Sequence, residues 1–305
     1  MYMSFASKTK TELCEIHLKR DCCKRAELCG ILMFAANFDE TRVRLISESA
    51  ALAELTLKLL SELYHIEGNK YITEKKTGGE NGVGCQSIKI TVSAKHDIEK
   101  LREKLLNAST GLIPDDLFAC ELCRAAFLRG AFLSAGKLND PSTSYRLEFS
   151  TGSAALADIL ISLLSKEDVL AKRSLRRGEY IVYVKSGDMI ETFLAFIGSS
   201  NALFEVMNSR IVKSAVNDAN RQTNCDTANL SRTVSASKSQ LEAIRAIADA
   251  GKLDKLPDEL KLTAKLRLDN PELSIKDLGN LFPEPISKSG VNHRLRKLVE
   301  LSKEL

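Results

Sequence analysis

Two stretches of the chain repeat one pattern of apolar and polar positions. Residues 49–61 read SAALAELTLKLLS and residues 153–165 read SAALADILISLLS, identical at eight of 13 positions. Apolar residues recur at helical spacing, and each stretch opens on a Ser suited to an N-cap, so both predict helices. A second matched pair lies upstream. Residues 26–36 (AELCGILMFAA) and 126–136 (AFLRGAFLSAG) align Leu28 with Leu128, Gly30 with Gly130 and Ala35 with Ala135. The offset is 100 here and 104 further on, which predicts a four-residue insertion in the second hairpin, at Pro141-Ser142-Thr143.

Strand-like alternation fills the gaps between these helices. Val43–Ser47 and Tyr145–Phe149 precede the serine-led helices; Lys70–Ile72, Ser87–Val92 and Tyr180–Val184 follow them. His96–Leu106 and Met189–Ile197 close each copy as helices. The predicted order is αββαββα, twice. Glycine inside an apolar helix costs about 1 kcal/mol relative to alanine, so Gly30 and Gly130 need a packing reason. Two helices meeting closely across a pseudo-twofold axis would supply it.

A twice-occurring nine-residue helix followed by ββαββα resembles the LAGLIDADG homing endonucleases. The matching segments are Leu28–Ala36 and Leu128–Gly136. The resemblance implies that the eighth position of each motif would carry a metal-binding acid, since phosphodiester cleavage needs a carboxylate pair to hold its cations. Here the eighth positions are Ala35 and Ala135, and the sixth are Met33 and Leu133. Alanine cannot ligate a metal, so these are expected to be lost catalytic-acid positions. Asp39, Glu40 and Asp140 lie beyond the helix ends and are expected in hairpin turns.

From about residue 236 the texture changes to helices without strand alternation. Ser237–Ala250 predicts one helix. Pro257-Asp258-Glu259-Leu260 opens a second, which Asn270-Pro271 ends. Ser274 and Asp277 form a capping pair for a third, and Pro283-Glu284-Pro285 interrupts the chain before a last helix over 288–301. This resembles a helix-turn-helix. In the last helix Val291, Leu295 and Leu298 share one face, while Ser289, His293, Arg296 and Lys297 lie opposite, with Asn292 and Arg294 at the flanks. Ser289 and Asn292 are placed to reach base edges. Lys288, Arg294 and Lys297 are placed for phosphates, and Lys276 joins them from the preceding helix. Residues 201–235 read as a linker, helical to about Ala219 and then a polar segment that is helical or irregular, between a first domain over 1–200 and the helix-turn-helix domain over 236–305.

Composition sharpens this picture. The 305 residues carry a net charge of only +4, yet residues 286–298 alone hold four cations and no acid. Charge is therefore concentrated on the helix shaped for a groove. Lys172, Arg173, Arg176 and Arg177 form a second basic cluster, with a solvated turn and secondary DNA contacts as its two readings. No signal peptide and no spanning segment is expected, which predicts a cytoplasmic protein with reduced thiols, and DNA binding would make it nucleoid-associated. Cys14, Cys22, Cys120 and Cys123 can be imagined as a zinc set, but no His supports it and spacing alone often misleads, so ordinary buried cysteines and no metal or cofactor are expected. Residues 78–84, rich in glycine, lack the Gly-Lys-Ser/Thr of a phosphate loop and read as a hairpin tip.

Along nearly its whole length the chain resembles the WhiA family. The carrying segments are Met3–Ser7, Lys10–Cys14, Phe127–Gly136, Asn224–Leu230 and Ile286–Leu298. The resemblance implies an α+β fold: a tandem, pseudo-twofold αββαββα LAGLIDADG-like domain followed by an all-α helix-turn-helix domain. It further implies a sequence-specific transcription factor that binds double-stranded DNA, tied to sporulation or to cell division and chromosome segregation. The nuclease-like domain would have lost catalysis and would contact DNA or another regulatory protein. The alternatives are a metal-dependent DNA endonuclease and a division-machinery protein that does not bind DNA.

Overall fold

A computed structural model describes residues 3–35, 37–75, 85–107 and 109–304. The chain divides into two compact units, residues 1–213 and 214–305. In the first, helix α1 (Phe5–Cys14) precedes two copies of one arrangement. Copy one runs α2 (Asp21–Met33), β1 (Asn37–Phe38), β2 (Val43–Ser47), α3 (Ala50–Tyr64), β3 (Asn69–Lys75), β4 (Cys85–Val92) and α4 (Lys95–Leu105). Copy two runs α5 (Leu122–Ala135), β5 (Gly136–Leu138), β6 (Leu147–Thr151), α6 (Ala154–Ser165), β7 (Lys172–Arg176), β8 (Glu179–Val184) and α7 (Gly187–Ile197). The expected α+β order is present in both, with α1 as an addition in front.

Each copy builds a four-stranded antiparallel sheet of the same order, β1-β2-β4-β3 and β5-β6-β8-β7. One face of each sheet is apolar and buried: Val43, Leu45, Ile88 and Ile90 in the first, Leu147, Phe149, Val182 and Val184 in the second. Ser49 caps α3 and Ser153 caps α6, each accepting from a backbone N–H three residues on at 3.3 Å. The turn between β1 and β2 spans residues 39–42, and that between β5 and β6 spans 139–146, so the predicted insertion lies in the second hairpin.

The two copies meet along α2 and α5. A Cβ added at Gly30 would stand 2.2 Å from the Phe127 carbonyl oxygen, and one at Gly130 would stand 2.2 Å from that of Glu27. The glycines are therefore required by backbone contact, and they are equivalent across the pseudo-twofold axis. One residue from each copy crosses the same surface: Arg129 Nε donates to Glu27 Oε1 at 2.6 Å, both side chains being buried. Arg129 also donates to the Ile197 carbonyl at 3.2 Å.

Of the two readings of the polar part of segment 201–235, the helical one holds. The segment lies within one helix, α8 (Ser200–Asp249), which continues through the separately expected helix at 237–250. Its N-terminus is held by Glu12 of α1, which accepts from the Ser199 hydroxyl at 2.6 Å and the Asn201 N–H at 2.8 Å. The polar face of this helix gave no apolar period to read beyond Ala219.

In the second unit, α9 (Asp258–Asp269), α10 (Ile275–Gly279) and α11 (Lys288–Ser302) pack with the end of α8 around Ile244, Ile247, Leu260, Leu278, Val291, Leu295 and Leu298. The fully buried Arg267 donates to Gln240 Oε1 at 3.0 Å and to the Leu273 carbonyl at 2.6 Å, tying α9 to α8.

Candidate nucleic-acid interface

The helix-turn-helix depends on two local devices. Ser287 caps α11 by accepting from the Gly290 N–H at 3.2 Å. Gly279 ends α10 beneath the next segment: a Cβ there would lie 2.5 Å from the Ile286 carbonyl oxygen, and its own carbonyl accepts from the Ile286 N–H at 3.1 Å. Ser274 and Asp277 form the expected cap of α10. These contacts set where α11 starts and which way it turns.

With Val291, Leu295 and Leu298 buried, the opposite face of α11 is fixed. Lys288, Ser289, His293, Arg296 and Lys297 are exposed, and Asn292 is half-buried at the edge. Lys276 is exposed on α10. Among the described residues, none of Lys276, Lys288, Arg296 and Lys297 has an ion-pair partner. Arg294 is placed differently from the expectation. Its guanidinium pairs with Glu259 at 3.1 Å and stands over the Phe282 ring at 5.5 Å, so it braces α11 against α9 rather than facing solvent freely.

The second basic cluster is split. Lys172 to Arg176 form a strand, not a turn, and alternation sends neighbours to opposite faces. Lys172 sits on the open face in register with Tyr183 and Glu148, and Arg176 shares that face. Arg173 points to the helix side, where it pairs with Asp158 of α6 and lies 5.5 Å from the Tyr180 ring centroid. Arg177 occupies the β7–β8 turn with a φ of 52°, followed by Gly178. On the open face Glu148 is taken up by Arg146, whose guanidinium also lies 5.4 Å from the Tyr183 ring centroid.

The lost catalytic-acid positions are half-buried at the C-terminal ends of the paired helices: Ala35 just past α2, Ala135 closing α5. The nearest acids are committed elsewhere. Asp39 accepts from the Thr41 hydroxyl and N–H and from the Arg42 N–H, which holds its carboxyl below the usual range. Asp140 is held low in the same way by the Ser142 hydroxyl and N–H. Glu40 pairs with Arg102 at 3.3 Å. All three belong to the hairpins, as their positions predicted.

The glycine-rich stretch 78–84 lies outside the described residues. Cys14 is not part of any thiol group. It lies beside Lys10 and Glu27, and burial pushes its thiol up to about 12. A different set converges, however: Cys22, Cys23, Cys120 and Cys123 place their sulfurs within 4.8 Å of one another. Three of its members, Cys22, Cys120 and Cys123, belong to the set the sequence suggested, and Cys23 takes the place given there to Cys14.

Comparison with known proteins settles the lineage. Residues 124–216 match the family model "WhiA LAGLIDADG-like domain", and residues 219–302 match "WhiA C-terminal HTH domain". A protein from Alkaliphilus metalliredigens called "Probable cell division protein WhiA" is 35% identical over 98% of both chains. One of the same name from Desulforamulus reducens is 36% identical over 99% of this chain and 96% of its own. The chain belongs to the WhiA family. The fold agrees: the crystal structure of full-length WhiA from Thermatoga maritima superposes with a TM-score of 0.60 at 24% identity, covering 99% of each chain. Its WhiA-family α+β fold thus joins a LAGLIDADG-like region to a helical helix-turn-helix region. Among the described residues no helix is long and apolar enough to cross a membrane.

Proposed function

We propose that this WhiA-family chain is a sequence-specific transcriptional regulator that binds double-stranded DNA, acting on genes of cell division and chromosome segregation or of sporulation, and residing on the nucleoid in the cytoplasm. The observation that carries this reading is the exposed face of α11, where Lys288, His293, Arg296 and Lys297 stand free of acids on a helix-turn-helix. Ser289 and Asn292 near its N-terminus are assigned to base edges, with Arg296 beside them. Lys276, Lys288 and Lys297 are assigned to phosphates, which fix register without reading sequence. Arg294 is assigned to bracing the helix.

The reading divides labour between residues 1–200 and 236–305, with 201–235 as their helical connection. The LAGLIDADG-like part adds DNA contacts through Lys172 and Arg176 or docks another regulatory protein, and it does not cleave. Alanine at both motif eighth positions supports that last point. Genome-wide crosslinking of the tagged chain is expected to return a set of enriched sites sharing one motif. The absence of enriched sites would favour a division-machinery protein that does not bind DNA. Incubation with supercoiled plasmid and Mg²⁺ or Mn²⁺ is expected to leave the plasmid intact. Cleavage that survives purification controls would instead revive the endonuclease reading.

A further inference from the structure

The four converging thiols lie at the N-terminal ends of α2 and α5, at the end of the helix pair opposite Ala35 and Ala135. Cys23 and Cys123 are pseudo-symmetry mates: each precedes its motif leucine, Leu28 or Leu128, by five positions, and both are buried. Cys22 and Cys120 flank them on the solvent side, half-buried. Cys22 also lines a surface cleft with Asp21, Arg25, Glu62 and Asp116, which gives a small ion a way in.

Distances decide what this group suits. Cys120 Sγ is 3.4 Å from Cys123 Sγ, 3.5 Å from Cys23 Sγ and 3.7 Å from Cys22 Sγ. Zn–S bonds of about 2.3 Å at tetrahedral angles put the sulfurs about 3.8 Å apart. The group is thus near the size of a single tetrahedral ion, whereas a [4Fe–4S] cubane would hold its four thiolates farther apart at its corners. Burial as small hydrophobes accounts for isolated cysteines such as Cys29, whose thiol donates to the Leu105 carbonyl. It does not account for four sulfurs gathered from two repeats.

Burial raises the Cys23 and Cys123 thiols, and the positive groups of the site gather at Cys120. Two helix N-termini point their partial positive charge at the group. The Leu122 N–H bonds to Cys120 Sγ, and the Arg20 guanidinium stands beside the same sulfur.

We infer that Cys22, Cys23, Cys120 and Cys123 are the ligands of one thiophilic divalent cation of the Zn²⁺ class, which clips the first repeat to the second. Binding releases one proton from each thiol that was protonated. The resulting complex carries two net negative charges, offset by Arg20 and the two helix ends. The clip is structural, since four protein ligands leave no open position for water or substrate.

The test uses the full chain purified with reduced thiols from zinc-supplemented cells. Elemental analysis is expected to give about one zinc per chain, and replacement by Co²⁺ is expected to give a tetrathiolate visible spectrum. The double variant Cys120→Ser/Cys123→Ser is expected to lose both signals, while Cys225→Ser, on the exposed face of α8, keeps them. Stripping the metal is expected to lower the Tm, and adding zinc back to restore it. Should the double variant fold poorly, X-ray absorption of the wild-type chain is expected to show four sulfurs at about 2.3 Å. A folded, reduced wild-type chain that takes up neither ion, or whose metal survives the double substitution, would overturn the site. So would a chain that, isolated without added reductant, carries these four thiols paired as disulfides.

Discussion

Repeat one, residues 21–105, and repeat two, residues 122–197, share sheet order, capping serines and the glycine crossing, yet they diverge in the side chains around that frame. Glu27 in the first stands where the second has Phe127, and Arg129 in the second stands where the first has Cys29. The two charges therefore meet only because the copies differ. Beneath the second sheet, Phe132, Phe149 and Phe193 stack edge to face with centroids 5.7 to 6.2 Å apart. The first sheet has Leu45 in the register position of Phe149 and Leu32 at the motif position of Phe132. The edge strands differ most: β7 carries Lys172 and Arg176 on its open face, where β3 presents Asn69, Tyr71 and Thr73. Symmetry is kept where backbones touch, and is given up where side chains carry charge.

The largest expected effect breaks the shared part. Gly30→Val and Gly130→Val each force the helix backbones apart and should destabilise by more than ~5 kcal/mol, the exceptional class for one substitution. Urea unfolding would show it, and a neutral result at either site would contradict the close crossing. The asymmetric pair comes next. Arg129→Met leaves Glu27 buried without its partner and should cost ~3–5 kcal/mol, while Glu27→Leu/Arg129→Met together should recover much of that loss. A double variant no better than the single would show that the pair is not what is lost.

The difference between edge strands can be sharpened by DNA titrations over a range of salt. If Lys172 and Arg176 each neutralise a phosphate, Lys172→Ala and Arg176→Ala should each reduce the log–log salt slope by about 0.9, while Arg173→Ala, paired with Asp158, leaves it unchanged. The smallest effect concerns Lys10, which α1 places over the Phe132 ring of repeat two at 5.6 Å. Burial brings it down from 10.5 to about 8, with Cys14 opposing and Lys137 adding. Below about 8 it is protonated in both states and its burial penalty is full. Between about 8 and 10.5 the unfolded chain holds the extra proton, so this group's contribution to stability rises with pH. Lys10→Met should remove that rise, as the difference between wild-type and variant urea midpoints would show.

The repeated parts were legible in the sequence because backbone contact leaves few choices. A glycine in the middle of an apolar helix and a serine ahead of Ala-Ala-Leu-Ala can be read directly. The turn-and-cap pattern around Gly279 and Ser287 was legible for the same reason. What failed to show was chemistry that depends on two distant segments meeting. Arg294 looked like a free cation because Glu259 and Phe282 lie far off in sequence. β7 was read as a flank to a strand because KRSLR has a single large apolar residue. Helix α8 stayed one of two readings past Ala219 because its polar turns bury nothing that would mark a period. The thiol group needed the crossing of α2 and α5 before Cys23 could be paired with Cys123.

The central claim is that α11 reads DNA with its exposed face. The most direct measurement is fluorescence anisotropy of the full chain on a crosslinking-defined site, compared with a scrambled duplex at the same salt. Arg296→Ala and Asn292→Ala should each weaken specific binding by about 1–3 kcal/mol, with unfolding midpoints unchanged and scrambled-site binding little affected. Variants that bind the specific site like wild type would contradict it.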